Sequence, residues 1–143
     1  MSTTYVKRNS EDAEQETVIQ WVRICSGKRP ELKLLHHIPN GGRRNAKEAA
    51  KLKRMGVLSG VADLHLPVAR GNYHSLYIEM KYEEGRLLES QKDFLKAAAA
   101  EGNYCIVCYS APDAIEIIDL YMHGRTIQNL SIVKGGKSIG AVR

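Results

Sequence analysis

The spacing of apolar positions along the chain predicts alternating helices and strands. An apolar stripe at three- and four-residue spacing, which includes Val18 and Val22, predicts an amphipathic helix over residues 10–26, with Ser10 as its N-cap. Helix-forming residues followed by glycine predict two more helices, over 46–55, with Asn45 as its N-cap, and over 89–100. A last helix is expected over 112–122, with Ser110 as its cap.

Short apolar runs predict strands over residues 32–38, 62–68, 75–81 and 104–109. The second and third runs are joined by a turn through Arg70-Gly71-Asn72, which favours a β-hairpin. This order of elements is typical of a single α/β domain in which helices flank a mixed sheet. We divide the chain into a domain over residues 1–124 and a basic, glycine-containing extension over 125–143. The extension is expected to form either a peripheral strand pair or a loose tail.

Length and composition limit the classes of protein to consider. A chain of 143 residues with 43% hydrophobic and 26% charged residues suits one globular domain and argues against disorder. No apolar run approaches the roughly 20 residues of a membrane helix, so we expect no membrane partner. Three cysteines without a signal peptide favour a reducing, cytoplasmic setting. Cys105 and Cys108 lie three apart on a predicted strand and thus on opposite faces, which favours core thiols over a metal pair.

Charge is distributed unevenly, and this says more than the net charge of +5. Residues 28–54 contain nine basic side chains against two acidic ones, whereas residues 55–124 contain five against ten. A concentrated basic segment is the usual footprint of a protein that binds phosphate backbones. Solubility alone can also make a helix surface rich in lysine, so the charge by itself leaves both interpretations open.

The predicted hairpin presents a candidate metal site. Side chains alternate along a strand, so Glu79 and Lys81 share one face, and Asp63 on the partner strand is expected close to Glu79. Two neighbouring carboxylates repel each other unless a cation neutralises them, and carboxylate oxygens suit Mg²⁺ or Mn²⁺. The alternative is an ordinary surface Glu–Lys pair on an exposed strand.

Four blocks of sequence, in consistent order, resemble one known family. They are His37-Ile38-Pro39-Asn40-Gly41-Gly42-Arg43-Arg44, the stretch from Leu52 to Leu64 that contains Gly60-Val61-Ala62-Asp63, Leu76-Tyr77-Ile78-Glu79-Met80-Lys81, and Gly85-Arg86-Leu87-Leu88-Glu89-Ser90-Gln91. Together they resemble the virus-type replication-repair nuclease (VRR-NUC) domain of the PD-(D/E)XK nuclease superfamily. One departure is Ala62, which stands where the family usually has a proline. The resemblance implies a restriction-endonuclease-like fold over the 1–124 domain.

The resemblance also implies a set of site residues. Asp63, Glu79 and the backbone carbonyl of Met80 would hold the metal, and Lys81 would position the attacking water and offset charge on the phosphate. Gln91 would face the same cluster. The first helix would add an acid, for which the family pattern favours Glu11 over its close rival Glu14.

The resemblance further implies an Mg²⁺- or Mn²⁺-dependent DNA endonuclease that acts on branched DNA such as a Holliday junction, as a homodimer, in a phage or bacterial repair setting. The alternatives are an inactive nucleic-acid-binding domain of the same fold, and a nuclease for flaps, single strands or RNA. Seven residues are expected to contact nucleic acid: Asn40, Arg43, Arg44, Lys47, Lys51, Lys53 and Arg54.

Overall fold

The computed structural model describes residues 10–39 and 45–143, which form a single domain with a six-stranded sheet. Its four described helices are α1 (Glu11–Cys25), α2 (Ala46–Arg54), α3 (Glu89–Ala100) and α4 (Ala111–Met122). The strands are β1 (His36–His37), β2 (Leu64–Leu66), β3 (Leu76–Met80), β4 (Tyr104–Cys108), β5 (Ser131–Lys134) and β6 (Lys137–Ala141). The predicted α/β class and mixed sheet are confirmed.

Spatial order in the sheet follows the order along the chain, from β1 at one edge to β6 at the other. β1, β2 and β3 are antiparallel neighbours, β4 and β5 run parallel to β3, and β6 is antiparallel to β5. The predicted hairpin is therefore present as β2 and β3. Of the two alternatives for residues 125–143, the structure has the strand pair. β5 pairs with β6, and β5 also joins the main sheet beside β4.

One expected strand is mostly a helix. Pro30 begins a 3₁₀ helix, Pro30–Leu34, and only His36 and His37 pair with β2. The missing N–H of proline is no loss in the first turn of a helix, where that group has no partner, and this local preference overrides the apolar pattern of the segment.

Two apolar layers cover the sheet. On one face α1 and α4 pack over Leu64, Ile78 and Ile106, which are almost completely buried. On the other face α3 packs through Leu95 over the alternate side chains of β4. Cys108 belongs to the first layer and Cys105 to the second, which confirms the interpretation of both as core thiols on opposite faces.

No helix in residues 10–39 and 45–143 has both the length and the apolar character needed to cross a membrane.

Candidate metal centre

Three carboxylates from separate parts of the chain meet on the α3 side of the sheet. Glu11 comes from the first turn of α1, Asp63 directly precedes β2, and Glu79 is the fourth residue of β3. One oxygen from each lies within 4.8 Å of the others. The alternation predicted for the hairpin thus brings Asp63 and Glu79 together, and the helix acid that joins them is Glu11.

Asp63 is fixed through both its side chain and its backbone. Its Oδ2 accepts a hydrogen bond from the Met80 N–H at 2.7 Å. Its carbonyl oxygen accepts from the Ile38 N–H at 2.9 Å and from Nδ1 of His37 at 2.7 Å. Neighbours on both sides therefore hold the carboxylate in place, while the side chain stays partly accessible to solvent.

Glu79 and Lys81 form a buried pair beside Asp63. Their side chains are 2% and 9% exposed, and Lys81 Nζ lies 3.7 Å from Glu79 Oε2. Burial raises the pKa of Glu79 to about 9, the Asp63 carboxylate adds to this rise, and the Lys81 ammonium opposes it. Burial also raises the pKa of Glu11, and the Lys81 ammonium again opposes this rise. An exposed surface pair would not be desolvated in this way, so the surface alternative is excluded for these side chains.

The rival acid Glu14 has a different task. It lies one turn further along α1, where its Oε1 accepts a hydrogen bond from the Ala111 N–H at 3.2 Å, at the start of α4. Glu14 thereby joins the two helices, and the contact sets how α1 presents Glu11 to the sheet.

Gln91 lies in the first turn of α3, and its Oε1 accepts a hydrogen bond from the Leu88 N–H at 2.9 Å. This bond satisfies a donor at the start of the helix. The contact of Gln91 with the carboxylates that the family resemblance implies remains a prediction.

Gly60 lies in the loop before Asp63 and packs against the first turn of α3. Its φ of +89° is a left-handed conformation, and a Cβ added there would lie 2.3 Å from the Ser90 carbonyl oxygen. Only glycine allows this close approach of backbone to backbone, so the loop before Asp63 is seated directly on the first turn of α3.

The basic helix α2 is present at the surface. Asn45 caps it by accepting a hydrogen bond from the Glu48 N–H at 2.8 Å, as the sequence predicts, and none of its residues is buried. The described members of the predicted nucleic-acid set all lie on this helix: Lys47, Lys51, Lys53 and Arg54. Asn40, Arg43 and Arg44 fall outside the described residues.

Sequence reasoning missed a row of rings beside the cluster. The rings of His65 and Tyr77 stack with centroids 4.2 Å apart, and His36 meets His65 edge-on at 5.3 Å. Burial, and secondarily His36, lower the pKa of His65. His65 and Tyr77 face each other across the predicted β2–β3 hairpin, whereas the His36 contact depends on the pairing of β1 with β2, which a two-residue strand does not reveal in the sequence.

Comparisons with known proteins agree with the observed fold. The family model described as the VRR-NUC domain matches residues 9–112. A solved structure named "VRR_NUC domain protein" is 32% identical to this chain and superimposes with a TM-score of 0.68, covering 90% of this chain and 95% of that one. Among curated protein sequences, none matches the chain.

Proposed function

Because the chain belongs to the VRR-NUC family, whose fold is nuclease-like, we propose that it is a divalent-metal-dependent DNA endonuclease. The observation that carries the proposal is the convergence of Glu11, Asp63 and Glu79 within 4.8 Å, with the Lys81 ammonium beside them. Phosphodiester hydrolysis requires little covalent participation from a protein, so ligands and charges placed around the phosphate suffice.

The residues present fit a hard divalent cation. Three carboxylates at such short range repel each other, and the raised pKa of Glu79 reflects this repulsion as well as burial. Mg²⁺ and Mn²⁺ prefer oxygen ligands. In an extended strand the N–H and C=O of one residue point to the same side, so the Met80 carbonyl lies on the side where its N–H meets Asp63. This placement supports Met80 as a further oxygen donor.

A divalent cation held by Glu11, Asp63 and Glu79 would supply a more acidic attacking water and would offset charge on the phosphoryl oxygens. The hydrogen bond from the Met80 N–H orients Asp63, and burial restricts Glu79. In this proposal Lys81, whose Nζ lies 3.7 Å from Glu79 Oε2, donates a hydrogen bond to a phosphoryl oxygen and orients the water. Gln91 would orient groups around the same centre from the first turn of α3.

The preferred substrate in this proposal is branched DNA, cut by a homodimer. Each chain has one such carboxylate cluster among its described residues, and one cluster cuts one strand. Cutting two strands of a junction therefore requires a two-fold pair of chains. A monomeric mass at micromolar concentration, together with retained junction cleavage, would refute the dimer.

The decisive experiment is cleavage of a substrate panel in Mg²⁺, Mn²⁺ or EDTA. The panel contains a four-way junction, a flap, a linear duplex, a single strand and RNA. We expect metal-dependent cutting, strongest on the junction. Asp63→Ala and Glu79→Ala should lose at least about 100-fold in rate, since a metal ion contributes several kcal/mol to such reactions, while DNA binding persists. Asp93→Asn, an exposed acid on α3, is the matched control. Undiminished cutting by both alanine variants would refute the site.

Metal binding has a readout that does not depend on activity. Mn²⁺ at about 100 times its dissociation constant should stabilise the folded protein by roughly 2.7 kcal/mol, which raises the melting temperature by several degrees. Glu79→Ala should remove this rise, and Asp93→Asn should keep it. An equal rise in all three proteins would place the ion elsewhere.

A further inference from the structure

The C-terminal strand pair forms one wall of a groove. The groove has a volume of about 270 Å³, and its opposite wall is the segment that leads into α3. Its lining includes Arg86 and Leu87 on that segment, Lys92 in the first turn of α3, and Val142 and Arg143 after β6. We call it the C-terminal groove.

Cations surround the groove above an apolar floor. Arg86 and Arg143 are exposed at its rim. The ammonium of Lys134 lies 5.0 Å from the centroid of the Tyr109 ring, which also lines the groove. Lys92 is partly engaged, since its Nζ lies 3.2 Å from Glu89 Oε1. No acidic side chain of residues 10–39 and 45–143 lines the groove itself. The exposed acids Glu83 and Glu84 lie on the neighbouring loop, so the attraction for an anion comes from the two exposed arginines at the rim.

A single loop connects the C-terminal groove to the carboxylate cluster. Residues 82–86 follow Lys81 directly, and the Tyr109 hydroxyl donates a hydrogen bond to the Gly85 carbonyl at 2.5 Å. Lys134 Nζ donates to the Glu83 carbonyl at 3.0 Å. A Cβ placed on Gly85 would lie 3.7 Å from Cδ of Lys81. The loop therefore has Lys81 on one side and the groove on the other.

Sheet order gives the direction. The cluster lies at β2 and β3, the groove lies towards the β6 edge, and α2 follows β1 and precedes β2 along the chain.

We infer that the C-terminal groove binds the phosphate backbone of the DNA substrate on the β6 side of the cleaved bond. The inference rests on the proposed function and assigns the end of the chain a role in it. Arg143, with Arg86 on the opposite wall, then forms a second contact with DNA, separate from that of α2. Such contacts position the duplex without reading its sequence.

The test is the salt dependence of binding to a duplex, measured in EDTA so that no cleavage occurs. Arg86→Gln combined with Arg143→Gln should lower the slope of log affinity against log salt by roughly 1–2 units. The matched control is Lys28→Gln combined with Arg125→Gln, two exposed cations beyond the C-terminal ends of α1 and α4, far from Glu11. The control should leave the slope unchanged. Equal slopes for the wild type and the groove variant overturn the inference, and so does an equal loss in both double variants.

Neutral methylphosphonate linkages test for direct contact. Placed one at a time at successive positions on either side of the cleaved bond, they should at some positions weaken wild-type binding and have less effect on the groove variant. An identical effect on both proteins overturns the inference. If the wild type neither binds nor cuts DNA, the proposed function fails as well. If the wild type does both and the groove variant matches it, only the groove is refuted. Thermal unfolding of each variant confirms that it is folded.

Discussion

The carboxylate cluster and helix α2 are both highly charged, but they are built in opposite ways. The cluster draws Glu11, Asp63 and Glu79 from three distant segments and places them on or beside buried elements. Helix α2 carries its charges on one short segment with no buried residue. Catalysis requires groups held to a fraction of an ångström, whereas attraction of a phosphate backbone requires only charge near its path. For the proposed roles, the exact position of each side chain therefore matters in the carboxylate cluster, and the total positive charge matters in α2.

The strongest test of this contrast compares the substitution of two different acids on α1. Glu11→Gln should reduce cleavage by about 30- to 1,000-fold, equivalent to roughly 2–4 kcal/mol of transition-state stabilisation, because a charged ligand is lost. Glu14→Gln should change the rate by no more than about threefold, since its amide oxygen can still accept from the Ala111 N–H. Steady-state kinetics in Mg²⁺ measure both. A larger loss in the Glu14 variant would show that the cluster uses the other acid.

A smaller effect is expected when the charge of α2 is removed. Lys47, Lys51 and Arg54 fall on one face of the helix, and replacing all three with glutamine should lower the salt slope of duplex binding by roughly 2–3 units. Cleavage of saturating substrate should stay close to wild type, since none of the three belongs to the cluster. Fluorescence anisotropy across a salt series measures the slope. An unchanged slope would contradict the role assigned to α2.

The smallest expected effect concerns the stability of the fold, and it compares the exposed helix α2 with the packed helix α4. Asn45→Ala removes the cap of α2 and should speed hydrogen exchange there without lowering the melting temperature, since α2 buries nothing. Ser110→Ala removes the corresponding cap of α4, whose Oγ accepts from the Asp113 N–H at 3.2 Å. Because α4 packs into the core, about 1 kcal/mol and roughly 2–4 °C should be lost. Equal melting temperatures in the two variants would contradict the difference in packing.

Local patterns predicted most of the fold. The bounds of α3 agree with the sequence prediction, and Ser10, Asn45 and Ser110 cap the helices for which they were expected. Strand alternation also predicted that Glu79 and Lys81 share a face, because the period of a strand is a local property. These features depend on neighbours in sequence, which a single chain displays directly.

Features that depend on distant contacts could not be predicted in the same way. Glu11 and Glu14 lie three residues apart on α1, so helical spacing alone cannot separate them. The packing of α1 on α4 separates the two acids. The Ala111 N–H donates a hydrogen bond to Glu14, whereas Glu11 lies in the cluster. The pairing of β5 with β4 likewise joins segments separated by more than twenty residues. Contacts of this kind leave no periodic mark in the sequence.

The bond between Glu14 and Ala111 also has a consequence for the order of events during synthesis. All three carboxylates leave the ribosome early, yet the helix that seats Glu11 against the sheet is complete only at Met122. A nascent chain that ends before α4 therefore holds every acid of the centre but lacks the contact that aligns the first of them. The three carboxylates would then be aligned only after most of the chain is made.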